Sequence, residues 1–147
     1  MCSSDLTERE VAAVAQAMEH AGSFPERLSH VLQVFVQRAQ AAPRLAWSLI
    51  AEPVDPAVDA ERLTYRQRYA ALYQQLLSDG VSQGELPIQD TAISAAALVG
   101  AIAEALVGPL SDPLPKANLA ESLTQFCLRA VGASPAQADV IEQPQTA

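Results

Sequence analysis

The sequence predicts an all-α fold, and three observations lead to this prediction. Half of the 147 residues are hydrophobic and alanine is the commonest, which favours helices because alanine loses no side-chain entropy on entering one. Apolar residues recur at helical spacing in six segments, which capping residues, glycine or proline separate. No segment shows the alternation of a half-buried strand. We therefore expect six helices in one compact domain.

The first helix is expected over residues 7–21. Thr7 and Glu10 have the spacing of a capping box, in which a hydroxyl and a carboxylate each satisfy a free backbone amide. Gly22 is expected to end the helix. The apolar positions at helical spacing are Val11, Val14, Ala15 and Met18.

The second helix is expected to run to Ala41, because Ser23 and Glu26 repeat the capping-box pattern and Pro25 is tolerated in a first turn. Pro43 ends this run. A short third helix should follow over residues 45–51. The buried stripe of the second helix would consist of Leu28, Val31, Leu32, Phe35, Val36 and Ala39.

The fourth helix is expected to be the longest, with Asp55 as its cap, Pro56 at its first position and its end near Gln83. Two apolar stripes indicate that it contacts neighbours on two sides. They are Val58, Tyr65, Tyr69, Leu72 and Leu76, interrupted by Arg62, and Leu63, Ala70, Tyr73 and Leu77. Its arginines, Arg62, Arg66 and Arg68, lie among acidic residues, a mixture typical of a solvated face.

The fifth helix should extend from its cap Asp90 to Val107, and the sixth from Lys116 to Val131, where Gly132 ends it. Small residues at helical spacing allow another helix to approach the fifth closely. A proline-rich loop would join the two helices. Residues 134–147 are rich in Pro, Gln and Ala and are expected to be a disordered tail.

Charge and composition exclude several function classes. The net charge of -8 repels a phosphate backbone, so this segment by itself is not expected to bind DNA. The two cysteines have no metal or redox spacing, and residues 1–6 contain no signal sequence, which favours the cytoplasm.

Residues 92–110 approach the length of a membrane span. Glu104 interrupts them and Asp90 and Asp112 flank them, which argues against an anchor.

The sequence offers few candidates for chemistry. No metal-binding, phosphate-binding or nucleophile motif accompanies His20 and His30, so we expect no enzyme, no metal and no cofactor. Aromatic residues concentrate on the second to fourth helices, where they either pack a core or line an apolar pocket. Glu104 either faces solvent or pairs in the interior. The residues expected to bind a ligand are Leu32, Phe35, Trp47, Arg62, Tyr65, Tyr69 and Glu104.

The fifth and sixth helices carry more apolar and small surface than one short chain can cover. Packed against their symmetry copies they would form a four-helix bundle, and alternatively they fill the core of the monomer. The residues expected at the dimer interface are Ala96, Val99, Gly100, Ala103, Leu119, Leu123 and Phe126.

Three stretches carry a resemblance to a known family: AEPVDPAVDAERLTYR at residues 51–66, LLSDGVSQGEL at 76–86 and ALVGAIAEALVGPL at 97–110. Residues 24–133 resemble the regulatory domain of the TetR/AcrR family of bacterial regulators. Gln-Gly-Glu-Leu from Gln83 is similar to the end of the long helix in many members.

The resemblance implies a dimeric repressor in which an N-terminal helix-turn-helix reads an operator and a small effector shifts the two reading heads. Residues 7–22 would then be the linker helix from the DNA-binding domain, and residues 23–133 the ligand-binding and dimerisation domain. The effector would be apolar or aromatic. One alternative is a helical interaction module whose pocket Trp47, Tyr65 and Tyr69 fill; a small helical enzyme with converging ionisable groups is the other.

Nothing ahead of Thr7 has the pattern of a helix-turn-helix. The opening Met-Cys-Ser-Ser-Asp-Leu is what the end of a common sequencing adaptor gives when translated from a GTG start. We therefore expect residues 1–6 to be a non-native leader on a truncated gene. The alternative is a natural stand-alone domain that sequesters a full-length relative.

Overall fold

A computed structural model of the chain describes residues 3–111 and 117–134, which form helices joined by short turns without a strand. The all-α prediction is therefore confirmed. Residues 135–147 of the predicted tail and the first two residues of the predicted leader lie outside the described residues. The helices are α1 (Ser3–Met18), α2 (Phe24–Ala41), α3 (Pro43–Ile50), α4 (Pro56–Ser82), α5 (Thr91–Ser111) and α6 (Leu119–Ala130).

Three of the predicted helix caps are confirmed. Before α2, the Ser23 hydroxyl accepts from the Glu26 amide at 3.4 Å, and the Glu26 carboxylate accepts from the Ser23 amide at 2.8 Å. Asp55 and Asp90 each accept hydrogen bonds from two backbone amides in the first turns of α4 and α5. These bonds satisfy donors that a helix start leaves unpaired, so the sequence pattern locates these three helix starts.

The predicted start of the first helix at Thr7 is wrong. Helix α1 already begins at Ser3, so the amides near Thr7 bond within the helix and need no cap. Thr7 is instead buried. The helix ends at Met18, before Gly22, and the guanidinium of Arg27 donates two hydrogen bonds to the Met18 carbonyl oxygen.

Proline and asparagine account for the other shifted boundaries. Pro43 begins α3 instead of preceding it, because a first turn needs no N–H donor from that residue. Helix α5 continues through Pro109 to Ser111, so this proline lies within the last turn of the helix and does not end it. Asn118, in the left-handed conformation with φ 63°, precedes α6, so this helix starts later than expected.

The hydrophobic core lies among α1, α2, α4, α5 and α6. Helix α4 packs most extensively along α5, and α2 packs against α6 and α1. Each of these helices contributes side chains that are removed from solvent, and that burial is the main driving force for folding. Fully buried core residues include Leu28, Leu32, Leu76, Leu77, Leu106 and Cys127.

Helices α5 and α6 each bury one face and expose another. On α6, Leu123 belongs to the core whereas Phe126 is 49% exposed. On α5, Leu98 is buried and Ile93 is 69% exposed. Residues 91–108 of α5 are also long and apolar enough to cross a membrane by length and composition, and only 22% of them are buried.

The predicted dimer residues divide between these faces. Ala96, Gly100 and Phe126 are exposed as an interface requires. The other four lie on faces that the helical period of 3.6 residues turns toward the monomer interior, and their place at an interface stays a prediction. Leu123 is in the core, Leu119 packs against the core, and Val99 and Ala103 line an internal cavity.

Candidate ligand-binding site

A cavity of about 110 Å³ lies among the first five helices. A single water needs only about 10–15 Å³ on the same measure, so the space is large enough for a small organic molecule. Its walls are mostly apolar, with a few polar side chains. The lining residues are Thr7 and Glu10 of α1; Phe35, Arg38 and Ala39 of α2; Ala42; Leu45, Ala46, Leu49 and Ile50 of α3; Arg62, Tyr65, Arg66, Tyr69 and Tyr73 of α4; and Val99, Ile102 and Ala103 of α5.

One row of side chains on α4 runs the length of the cavity. Arg62, Tyr69 and Tyr73 share a face with Tyr65 and Arg66, because residues three or four apart are neighbours on a helix. Burial of these side chains increases from Arg66 to Tyr73. Arg66 is exposed, Tyr69 is half-buried and Tyr73 is only 2% exposed. The cavity therefore has a solvated end at Arg66 and a dry end at Tyr73.

Tyr73, at the dry end, carries an unsatisfied polar group. The Tyr73 hydroxyl is buried and has no hydrogen-bond partner among the residues that the structure describes. Burial raises the pKa of Tyr73 far above its ordinary value, and it raises the pKa of Tyr69 in the same way. Both phenols are therefore neutral near pH 7, and Tyr73 presents an unused O–H donor.

Aromatic and aliphatic side chains form the remaining walls. The Phe35 and Tyr69 rings meet edge to face, with 5.9 Å between their centroids and an angle of 86°. This geometry is a favourable one for two aromatic rings and holds the Tyr69 ring in place. Leu49 and Ile50 of α3 face Ile102 of α5 across the same cavity. The middle of the cavity is thus suited to an apolar molecule.

Two bidentate ion pairs tie α1 to the neighbouring helices. The Arg38 guanidinium donates to both oxygens of Glu10 at 2.7 Å, and Arg68 donates to both oxygens of Glu8 at 2.6 and 3.0 Å. The hydrogen bond from Arg68 lowers the pKa of Glu8, with a further contribution from Tyr65. Both pairs lie at or beside the cavity, so α1 is coupled to its walls.

Two arginines connect α4 to the carboxyl end of α3. Arg62 donates to the carbonyl oxygens of Ser48 and of Glu52, the latter at 2.6 Å, and Arg66 donates to Ile50 at 3.3 Å. Cations stabilise helix C-termini because the last carbonyl groups are unpaired and carry partial negative charge. Both arginines therefore have specific partners at the end of α3, and Arg66 is at the same time exposed to solvent, as the mixture of charges predicts.

The structure brings four of the seven predicted ligand residues together. Phe35, Arg62, Tyr65 and Tyr69 line the cavity. The other three predicted residues do not line this cavity. Leu32 is fully buried in the core, half-buried Trp47 lies outside the cavity wall, and Glu104 is exposed because it follows the inward-facing Ala103 by one helical step.

Several lining residues were not predicted. Helix α1 contributes Thr7 and Glu10, although the sequence suggested only the later helices. Tyr73 was assigned to a different stripe from Tyr65 and Tyr69. The three tyrosines are nevertheless spaced four residues apart, and this repeat was the signal that would have identified Tyr73.

The fold and cavity define an all-α domain with a partly open, mostly apolar space for a small molecule. Residues 21–106 match the sequence model of the family described as "Tetracyclin repressor-like, C-terminal domain". The chain belongs to this family, which confirms the family resemblance of the sequence.

A solved structure has a similar fold. It is the crystal structure of a transcriptional regulator of the TetR/AcrR family from Thermobifida fusca YX-ER1, with a TM-score of 0.65 and 19% sequence identity. The similarity covers 86% of this chain and 68% of that chain. At this identity the likeness concerns the fold. A comparison with curated proteins gave no match.

Proposed function

We propose that this chain is the effector-sensing and dimerisation domain of a bacterial TetR-type transcriptional repressor that acts in the cytoplasm. An N-terminal helix-turn-helix domain would contact the operator, in keeping with the net charge of -8 on the present chain. The observation that carries the proposal is the cavity among α1 to α5 in a member of this family. The effector would be a small molecule with an apolar or aromatic body.

The unfilled cavity favours binding over simple packing. In an interaction module, Trp47, Tyr65 and Tyr69 would occupy the space between the helices. Trp47 instead lies outside the lining, and the two tyrosines border open space. Binding is also favoured over catalysis, because the charged groups of the lining are bound to each other or to backbone carbonyls.

Helix α1 is the proposed route from the cavity to DNA. Thr7 and Glu10 touch the cavity, and the Glu8–Arg68 and Glu10–Arg38 pairs hold α1 against α4 and α2. An effector that shifts the cavity walls would therefore move α1 and any domain attached to it. The effector must bind one arrangement of the helices more tightly, since equal affinity for both shifts nothing.

Thermal-shift screening of the chain against apolar and aromatic metabolites tests the binding proposal. A ligand that binds only the folded state raises stability by mass action, by about 2.7 kcal/mol at a hundredfold excess over Kd. Ala103→Leu fills part of the cavity, so it should abolish the shift. Ala71→Leu makes the same change at an exposed position and should preserve it. A broad panel without any shift would contradict the proposal.

The exposed apolar faces of α5 and α6 support a second copy of the chain as the dimer partner. Ile93 and Phe126 are large and exposed, and Ala96 and Gly100 are small enough for close helix approach. The low burial of residues 91–108 is what a helix shows when its outer face awaits a partner. A symmetric pair would bury both faces in a four-helix bundle.

Sedimentation velocity tests the dimer. The wild-type chain should sediment as a dimer, and Phe126→Glu should yield a folded monomer because the interface cannot accept an unpaired charge. Leu63→Glu is the control: it adds the same charge on α4, where Leu63 is 57% exposed, and should leave the dimer intact. A wild-type chain that stays monomeric and folded at high concentration would contradict the dimer, and so would a dimer unaffected by Phe126→Glu.

A further inference from the structure

The dry end of the cavity is incomplete in its hydrogen bonding. Buried polar groups in folded proteins are nearly always paired, because an unpaired one loses its bonds to water without replacement. The Tyr73 hydroxyl has no partner within the described part of the chain, although its side chain lines the cavity. A ligand that reaches this end gains most if it offers an oxygen acceptor to the Tyr73 O–H.

The acceptor at this end should be neutral. The titratable side chains that act on Tyr73 are Cys127 and Tyr69. Burial raises the pKa of the Cys127 thiol to about 11, and Tyr69 is likewise uncharged near pH 7. An anion placed here would lose its hydration without meeting a cation, which is unfavourable in a buried site. A ketone, ester or ether oxygen meets the requirement.

The other end of the cavity carries positive charge. Arg38 is balanced by Glu10, whereas Arg62 and Arg66 are bound to neutral carbonyl oxygens of α3. A guanidinium has five N–H donors, and the bonds described use two on Arg62 and one on Arg66. Donors and charge are therefore left for an anion, and a carboxylate fits the planar guanidinium fork.

The two ends are separated along one helix face. Arg66 and Tyr73 are seven residues apart, which corresponds to about 10 Å along α4 at roughly 1.5 Å per residue. Between them lie Tyr69 and the apolar walls from α3 and α5. A ligand that uses both ends must be elongated and apolar in its middle.

We propose that the effector is an elongated amphipathic carboxylate with a neutral oxygen acceptor at its far end. The carboxylate lies beside Arg62 and Arg66, the apolar body lies along α4, and the far oxygen accepts a hydrogen bond from Tyr73. This inference rests on the proposed effector-binding function and specifies the ligand class for that cavity.

Calorimetric titration of the full chain with decanoic acid and a matched analogue tests the dry end. The analogue carries a ketone at the penultimate carbon. The wild-type chain should bind the keto acid about fivefold more tightly, the effect of one additional buried hydrogen bond. Tyr73→Phe should reduce this ratio to about one and leave the affinity for decanoic acid unchanged. Tyr69→Phe, the control, should preserve the fivefold ratio.

The charged end is tested with the methyl ester of the keto acid and with decylamine. The wild-type chain should prefer the acid to the ester and bind decylamine least. The double variant Arg62→Gln/Arg66→Gln should lose the preference for the acid over the ester, while it keeps the preference for the ketone. Circular dichroism and thermal midpoints of each variant check that the helices remain folded.

Several outcomes would overturn the inference. A ketone ratio of one in the wild-type chain would do so, as would a ratio that survives Tyr73→Phe or an amine that binds as tightly as the acid. Indole and naphthalene, titrated in parallel, separate this inference from the proposed function. Suppose that indole or naphthalene binds the wild-type chain, that Ala103→Leu blocks this binding, and that no carboxylate binds. The effector-binding function then stands and the proposed ligand class is wrong. If no compound binds, both proposals fail.

Discussion

The two halves of α4 differ in what they contribute to the molecule. All four buried residues of this helix, Tyr73, Leu76, Leu77 and Gly80, lie in its second half, which packs into the core. The first half contains the cavity-lining Arg62 and Tyr69 and no buried residue. One continuous helix thus places a loosely packed binding wall on a firmly packed base. The base holds the geometry of the wall, so affinity and stability can be changed separately.

The largest expected effect comes from removing side-chain volume in the packed half. Leu77 is fully buried, so Leu77→Ala should lower the free energy of unfolding by about 2–5 kcal/mol. Leu63→Ala removes the same atoms from a side chain that is 57% exposed in the first half. Leu63→Ala should change the free energy of unfolding by no more than about 0.5 kcal/mol. Urea unfolding measures both, and equal costs would break the comparison.

Overpacking the same half should have a smaller effect. A Cβ added at Gly80 would lie 2.9 Å from Leu86 Cδ1 and 2.9 Å from Phe24 Cδ2, both on buried side chains. Gly80→Ala should therefore destabilise the fold by about 1–3 kcal/mol, less the roughly 0.5–1 kcal/mol by which alanine improves a helix. Thermal unfolding with a midpoint at or above that of the wild-type chain would show that these side chains move aside freely.

At the boundary between the halves, a substitution should stabilise the chain instead of destabilising it. Tyr73→Phe removes an unpaired buried hydroxyl and should raise the free energy of unfolding of the ligand-free chain by about 1 kcal/mol. Tyr65 lies eight residues, or about two helical turns, before Tyr73 in the binding wall. Tyr65→Phe removes a hydroxyl that bonds to Glu8 and should lower the free energy of unfolding. Differential scanning calorimetry compares the two. A loss of stability in Tyr73→Phe would mean that the hydroxyl is already satisfied.

The smallest effect concerns the ion pair that ties α1 to the first half of α4. Arg68 lowers the pKa of Glu8 below its ordinary value of 4.5. The unfolded chain therefore binds this proton more tightly than the folded chain, and the stabilisation is present above pH 4.5 and is lost as pH falls through the lowered pKa.

Glu8→Gln should accordingly be slightly less stable than the wild-type chain at neutral pH. The two stability curves should converge as the pH falls below 4.5. High salt should also reduce the difference, because exposed ion pairs are screened. Curves that stay parallel through this range would show that Glu8 gains nothing from Arg68.

Much of the fold was predictable because its signals are local. The caps Ser23, Asp55 and Asp90 bond to amides two or three residues away, so their pattern is visible in the sequence itself. Thr7 shows the limit of that reasoning. It has the pattern of a cap, but residues 3–6 extend the helix before it and remove the need for one.

The cavity was predictable only in part. Aromatic enrichment identified Phe35, Tyr65 and Tyr69, all of which line it. The same enrichment also selected Trp47, which does not line the cavity. Sequence cannot separate the two cases, because an aromatic side chain packs equally well in a core and around a cavity. The contribution of α1 was missed, since contact between Glu10 and Arg38 joins residues 28 positions apart.

The sequence by itself determined the helix class, the capped starts of α2, α4 and α5, and the family, because capping, helical period and characteristic stretches are properties of neighbouring residues. The apolar stripe of α2 already predicted most of its buried face. On α5 and α6, only the tertiary structure decided which face meets the core, the cavity or solvent. Leu123 and Phe126 illustrate this on α6: they are apolar residues three positions apart, and the first is buried whereas the second is exposed. The reason is that the angles and offsets between helices set burial, and these follow from the packing of all six together.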